Sequence, residues 1–208
     1  MTKVYVAILN QGAIHTGLAD FLVKLFLSEG RGVAYDLNLT FPSKKPASHN
    51  RNQIVKDFLA TDADYLLMID ADIVPTRNPL DLAALDLDVV AAPCPQWNSG
   101  DIYWVVMDKV PGGYRAAPPE RRNGLREADA VGTGCILIAR RGLEGVKAPF
   151  MRRWDEDGLA VLGHDFFFCE KAREAGFKVW AHWDYPCDHF KEGGVIQTLE
   201  LVNKYVPT

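Results

Sequence analysis

Two aspartates one residue apart, Asp70 and Asp72, stand directly behind four apolar residues in the stretch DYLLMIDADIVP. The apolar run, residues 66–69, reads as a buried strand. Along an extended chain, positions i and i+2 point to the same side, so both acids face one site. Two carboxylates so placed repel each other unless a cation lies between them. Hard oxygen ligands at a strand end suit Mg²⁺ or Mn²⁺, and such an ion fills its remaining positions with substrate phosphates. A plainer reading stands beside this one: one Asp shapes the turn into IVPTRNP and the other is solvated.

The elements that must position this pair alternate between strand and helix. KVYVAILN is an apolar run of strand length. Leu18, Phe21, Leu22, Leu25 and Phe26 then recur at helical spacing, with Gly30 as a stop. GVAYDLNL reads as a second strand and FPSKKPASH as a loop. Ser48 is placed to cap a helix over HNRNQIVKDFLAT, whose buried side carries Ile54, Val55, Phe58 and Leu59. YLLMI is the third strand, NPLDLAALDL a short helix and DVVAAP a fourth strand. These repeated βαβ units imply a parallel sheet with helices on its faces, and ligands of such sheets bind beyond the carboxyl ends of the strands.

The second half reads differently. IYWVVMDK and GYRAA form a hairpin around Pro-Gly-Gly, and AVGTGCILIAR is a strand opened by glycines. HDFFFCEKAREAG is a helix closed by Gly176, FKVWAHW a strand and GVIQTLELVNKYV a final amphipathic helix.

Length and composition frame these elements. The 208 residues suffice for one sizeable domain. A hydrophobic content of 48% is that of a globular chain, and a formal net charge of −4 argues against a surface that grips nucleic acid all over. No apolar stretch reaches the roughly 18 residues that span a bilayer, and the start lacks a secretory pattern. The cysteines Cys94, Cys135, Cys169 and Cys187 form no CxxC pair and read as reduced thiols of a cytoplasmic protein.

The stretch HNRNQIVKDFLATDADYLLMIDADIVP resembles the nucleotide-sugar-dependent glycosyltransferases of the GT-A fold, in the broad family-2-like group. There an RN helix precedes a strand ending in a DxD motif. VGTGCILIAR is similar to the strand that lines the donor-sugar pocket. LGHDFFFCEKAREAGFKVWAHWD resembles the motif written E-D-x-x-F-C-x-x-A-x-x-A-G-F, and CDHFKEG resembles the late His-x-x-x-Gly element that returns to the metal. The blocks follow one another in the family's order.

The resemblance implies an α/β, Rossmann-like GT-A fold: three layers, α/β/α, around a mixed, mainly parallel sheet. One domain would fill 1–208, with 1–95 holding the nucleotide and 96–208 the sugar and acceptor. It implies hexosyl transfer from a UDP- or GDP-sugar to a glycan, a lipid-linked sugar or another hydroxyl, with Mn²⁺ or Mg²⁺ as cofactor. Asp72 would ligate the metal, Asp70 the metal or the ribose, and His189 would be a third ligand. Arg51 would reach the diphosphate, where the plain reading is a helix-surface ion pair with Asp57 or a neighbour, and Asn10 and Gln11 would border base and ribose, or equally be loop residues. Gly132 and Gly134 would let backbone approach the sugar, although a bulge or tight bend explains them equally.

An inverting transferase needs a base at the acceptor hydroxyl, and Asp165 is the candidate; as plain structure it is a helix N-cap. His164 stands where the motif has Glu, which leaves open how the acceptor is held and whether His164 shares the proton. Trp97, in PCPQWNSGD, is the aromatic expected to meet a sugar face. Arg121, Arg122 and Arg126 read as a solvated basic loop, with an anionic or nucleic-acid acceptor still open. So small a domain leaves room for a homo-oligomer or partner to complete the acceptor side. Two alternatives stay in play: a haloacid-dehalogenase-like phosphatase with Asp70 as nucleophile, and a nucleotidyltransferase.

Overall fold

The computed structural model describes residues 1–29, 34–98, 101–191 and 194–196. In chain order the framework is β1 (Thr2–Leu9), α1 (Thr16–Glu29), β2 (Tyr35–Thr40), α2 (Ala47–Leu59), β3 (Tyr65–Asp70), β4 (Ile73–Pro75) and β5 (Val89–Ala91). There follow β6 (Leu125–Ala128), β7 (Cys135–Ala139), α3 (His164–Glu174), β8 (Val179–His182), β9 (Cys187–Lys191) and β10 (Gly194–Ile196). Seven strands form one sheet in the order β6-β8-β5-β7-β3-β1-β2. β6 and β7 run against the other five, so the sheet is mixed and mainly parallel, as expected.

Alternation along each strand divides the core in two. Val4, Val6 and Ile8 of β1, with Leu67 and Ile69 of β3, pack under Leu18, Leu22 and Leu25 of α1. Tyr5, Ala7 and Leu9, with Leu66 and Met68, face the opposite layer, built from Ile54, Val55 and Phe58 of α2 and Phe168, Cys169 and Ala172 of α3. Two apolar layers on one sheet give the α/β/α sandwich.

Local chemistry moves several boundaries. α2 begins at Ala47 with Pro46 in the capping position and no side-chain cap, so the expected cap Ser48 lies inside the first turn. Residues 79–85 form a 3₁₀ helix capped by Asn78, whose Oδ1 accepts from Leu80 N at 3.0 Å. The expected long strand IYWVVMDK divides at Val105. Asp101–Trp104 pairs back onto Pro95–Asn98, and Val106–Val110 pairs with Gly113–Ala116. Of the predicted last helix, residues 194–196 are instead strand β10, and the remainder lies outside the described residues.

α3 is held to the second-half hairpin through Glu170. Its carboxylate accepts from Tyr114 Oη at 2.9 Å, Lys109 Nζ at 3.2 Å and Arg153 Nη2 at 2.7 Å. Burial pushes this carboxyl up, but the three donors outweigh it and hold its pKa below the ordinary 4.5. A depressed pKa stabilises the fold above the unfolded value and loses that contribution as pH falls through the folded value. Glu170→Gln should therefore lower stability by about 1–2 kcal/mol at pH 7 and by less at about pH 3. Denaturant unfolding at the two pH values checks this, and an equal loss at both would refute it.

Candidate functional site

The carboxyl ends of β1 and β3 open into a cleft of about 390 Å³, lined by the residues after β1, the residues before α2, the Asp70–Asp72 turn and the start of α3. That volume lies in the range of small-ligand sites. Backbone hydrogen bonds clamp the turn from every side. Asp70 N donates to Gly134 O and Ala71 N to Leu9 O, both at 2.8 Å. His15 N donates to Ala71 O, and Phe190 N to Asp72 O, again at 2.8 Å. The rings of His15 and Phe190 stack at 3.7 Å beside it.

Asp70 is an even-numbered residue of β3, so it points with Leu66 and Met68 toward α2. There it meets Arg51, which is 2% exposed. Arg51 Nη2 donates to both carboxylate oxygens of Asp70, at 2.8 and 2.9 Å, and Nη1 to Thr133 O at 3.2 Å. Burial raises the Asp70 carboxyl to about 6; Arg51 opposes the rise, while Asp165 and Asp72 add to it. Arg51 thus bonds Asp70 rather than Asp57, whose carboxylate is bonded by Gln53. The signal was present in the spacing: Ile54, Val55 and Phe58 lie three, four and seven residues on, which puts Arg51 on the buried stripe of α2.

Asp72 meets His189 instead. β9 pairs with β4 so that His189 sits opposite Ile73, bringing its Nε2 to 3.2 Å from Asp72 Oδ2. The other ring nitrogen lies 2.7 Å from Pro95 O, and because a carbonyl only accepts, Nδ1 carries the hydrogen. Among the described residues no three His, Cys, Asp or Glu side chains converge tightly enough to hold a metal by themselves. The expected trio is split into Asp72 with His189 and Asp70 with Arg51.

Asp165 is the second residue of α3, and Gly163 takes the capping position. Asp165 Oδ1 accepts from Thr133 Oγ1 and from His164 Nε2, each at 2.8 Å. Burial alone would raise this carboxyl, but the hydrogen bond from His164, the charge of Arg51 and the Thr133 hydroxyl bring it down to about 2. Thr133, which sequence reasoning passed over, therefore bridges Arg51 and Asp165.

Asn10 and Gln11 line the cleft, as does His164. Asn10 also organises its own turn, accepting from Gly12 N at 2.9 Å. Two expectations fall elsewhere. Gly134 does not line the cleft: a Cβ there would meet Cys94 Sγ and Ile73 Cγ1, each at 3.1 Å, so its small size serves packing beneath the turn. A Cβ on Gly132 would likewise meet Val105 Cβ at 3.0 Å. Gly134→Ala should cost about 1–2 kcal/mol by displacing Ile73, the residue after Asp72. An unchanged melting temperature would refute this. Trp97, expected in a loop, sits in the strand Pro95–Asn98; it is 54% exposed and outside the cleft lining.

Cys94, Cys135 and Cys187 are all buried in the α1-side core, and the closeness of Cys94 and Cys187 could not be read from their separation in the chain. Among the described residues no helix is long and apolar enough to cross a membrane.

No family model matches the chain, and no curated protein does. Solved structures share its fold. A197 from STIV superposes with a TM-score of 0.61 at 20% identity, over 92% of this chain and 87% of that one. The catalytic domain of Drosophila beta1,4galactosyltransferase 7, in complex with xylobiose, does so with a TM-score of 0.50 at 16% identity, over 92% of this chain and 72% of that one. The fold expected from the motifs is thus the one found: α/β of the GT-A kind, shared with a galactosyltransferase catalytic domain.

Proposed function

We propose that the chain is a metal-dependent glycosyltransferase that moves a sugar from a nucleoside-diphosphate sugar to an acceptor hydroxyl. The observation that carries this reading is the convergence of Asp70, Asp72, Asp165 and Arg51 on one cleft at the carboxyl ends of parallel strands. The fold shared with a galactosyltransferase catalytic domain supports it.

The donor set fits a divalent cation. His189 gives its Nδ1 hydrogen to Pro95 O, which turns the other ring nitrogen toward Asp72, an orientation common to metal-binding histidines. Asp72 and His189 would hold the ion, with Asp70 alongside, and its remaining positions suit phosphate oxygens. Imidazole favours Mn²⁺ over Mg²⁺. When bound, such an ion offsets the negative charge that develops on a leaving diphosphate.

The chain's own residues do the rest. Arg51 neutralises Asp70 and fixes its direction. Thr133 and His164 both bond Oδ1 of Asp165, which leaves Oδ2 to take the acceptor's proton. A carboxylate with a pKa of about 2 is a weak base, so Asp165 acts through position, receiving the proton as the oxygen attacks. Acceptor and sugar would sit on the His164 side, formed from the second half of the chain, and the nucleotide by Asn10 and Gln11. A phosphatase with Asp70 as nucleophile fits less well, because one Arg51 nitrogen bonds both oxygens of that carboxylate.

The test is turnover. The protein, given Mn²⁺, a panel of UDP- and GDP-sugars and simple glycoside acceptors, should release one nucleoside diphosphate. Asp165→Asn should slow that release by about 10²–10³-fold with donor affinity intact. Failure of every donor to bind in the presence of metal would end this reading.

A further inference from the structure

The cleft contains positive charge that the chemistry above leaves unassigned. Its wall includes Lys44 and Lys45 in addition to Arg51, facing Asp70, Asp72 and Asp165. Arg51 is committed to Asp70, whereas neither lysine forms a salt bridge among the described residues. Both ammonium groups belong to exposed side chains, so they stay hydrated and charged until a ligand arrives.

The loop that carries them is held in place. Pro42 O accepts from Asn10 N at 3.2 Å, Asn10 Nδ2 at 3.3 Å and Asn50 Nδ2 at 3.0 Å. The end of β1 and the first turn of α2 thus pin the loop from two sides. Asn50 is 2% exposed, and its amide nitrogen must face the Pro42 carbonyl, so its Oδ1 is an acceptor; that atom is buried without a partner among the described residues. Arg51 Nε, also in the wall, is a buried donor in the same condition. Such groups are costly to leave unpaired, which marks this wall as adapted to something more than itself.

α2 adds to the same wall. Ala47, its first residue, lines the cleft, no side chain caps the helix, and no acid stands in its first turn. The positive end of the helix dipole therefore reinforces the two lysines.

Charge then decides what fits. Three carboxylates are balanced by Arg51, Lys44 and Lys45, so the wall alone is close to neutral. A divalent cation makes the site dipositive. A diphosphate esterified at both ends carries one charge per phosphate and restores neutrality, whereas a monophosphate likewise esterified at both ends carries a single charge and leaves an excess of one. Resting on the glycosyltransferase reading, we propose that Lys44 and Lys45, with the uncapped start of α2, are the residues that seat the donor's diphosphate and select it over a monophosphate donor.

Titration calorimetry with Mn²⁺ and UDP-, GDP-, CDP- and ADP-sugars, with the methyl esters of the matching nucleoside monophosphates as the singly charged comparison, tests this, on wild type, the Lys44→Met/Lys45→Met protein and the Lys44→Arg/Lys45→Arg protein. The diphosphate that binds wild type should lose roughly tenfold or more in affinity in the methionine variant and recover most of it with arginine. Its preference over the monophosphate should shrink in the methionine variant, and added salt should weaken wild type more than that variant. Melting temperatures of the three ligand-free proteins should agree. A methionine variant that binds the diphosphate as wild type does would overturn the assignment and leave the transferase reading intact. Wild type binding no diphosphate at all would overturn both.

Discussion

Replacing Arg51 with methionine is expected to lower stability by about 2–4 kcal/mol at pH 8, below the roughly 3–5 typical of a fully buried pair because part of Asp70 faces the cleft. The loss has little to do with Arg51's own packing, which methionine largely keeps along Met68 and Phe150. It comes from leaving the Asp70 carboxylate without its counter-charge. Removing Arg51 takes away the group that opposes the rise of the Asp70 pKa, which then climbs beyond about 6. The raised carboxyl destabilises the fold where it must be ionised, so the penalty is full above that pKa and shrinks toward the unfolded value of 3.8. The variant should therefore be closer to wild type at pH 5 than at pH 8. Adding Asp70→Asn to Arg51→Met should restore much of the loss, since the uncompensated charge is gone. Urea unfolding of the four proteins of this cycle is decisive, and additive losses from the two substitutions would exclude coupling between the groups.

Asp72→Asn should abolish metal-dependent binding of a nucleoside diphosphate, with a fall of at least about 100-fold in affinity for the ion. Asparagine keeps the size of the side chain and the backbone bond from Phe190, so the free protein should melt within about 2 °C of wild type. His189→Gln should act in the same direction and, because it also releases the Pro95 carbonyl, lower the melting temperature of the free protein more than Asp72→Asn does. A saturating ligand at 100 times its dissociation constant stabilises a protein by about 2.7 kcal/mol, so a thermal-shift series with Mn²⁺ reads the difference directly. A diphosphate that stabilises Asp72→Asn as much as wild type would remove this residue from the metal site.

How far such features were legible in the chain depends on whether their cause is local. The strand that ends in Asp70 announces itself, because burial on both faces demands an unbroken apolar run. The layers followed too, from alternating strand and helix periods. The partner of Arg51 was harder to see. An ion pair with Asp57 satisfies sequence proximity, and only the orientation of α2 against β3 brings Asp70, 19 residues away, into reach. Thr133 was invisible for the same reason: both its contacts cross from strand entry to helix, 82 residues in one direction and 32 in the other. Ser48 misled because Pro46, two residues earlier and extended, takes the capping position itself and starts the helix at Ala47. Gly134 misled because a glycine beside a strand end gives no hint of which neighbour presses on it.

The direction of β7 has a consequence for synthesis. Running against β3, it brings Thr133 and Gly134, the residues that enter it, to the end where β3 finishes, 63 residues after Asp70 and Arg51 have been made. Asp165 follows from the start of α3 and His189 from β9. As the chain leaves the ribosome from its first residue, the Asn10, Arg51 and Asp70 cluster emerges early, with its guanidinium able to neutralise the acid at once. Asp72 waits for its imidazole until β9 has been added. If the chain binds a nucleotide-sugar as proposed, that binding is completed only with β9, and a chain stopped before β9 should fold much of its sheet yet hold no nucleotide.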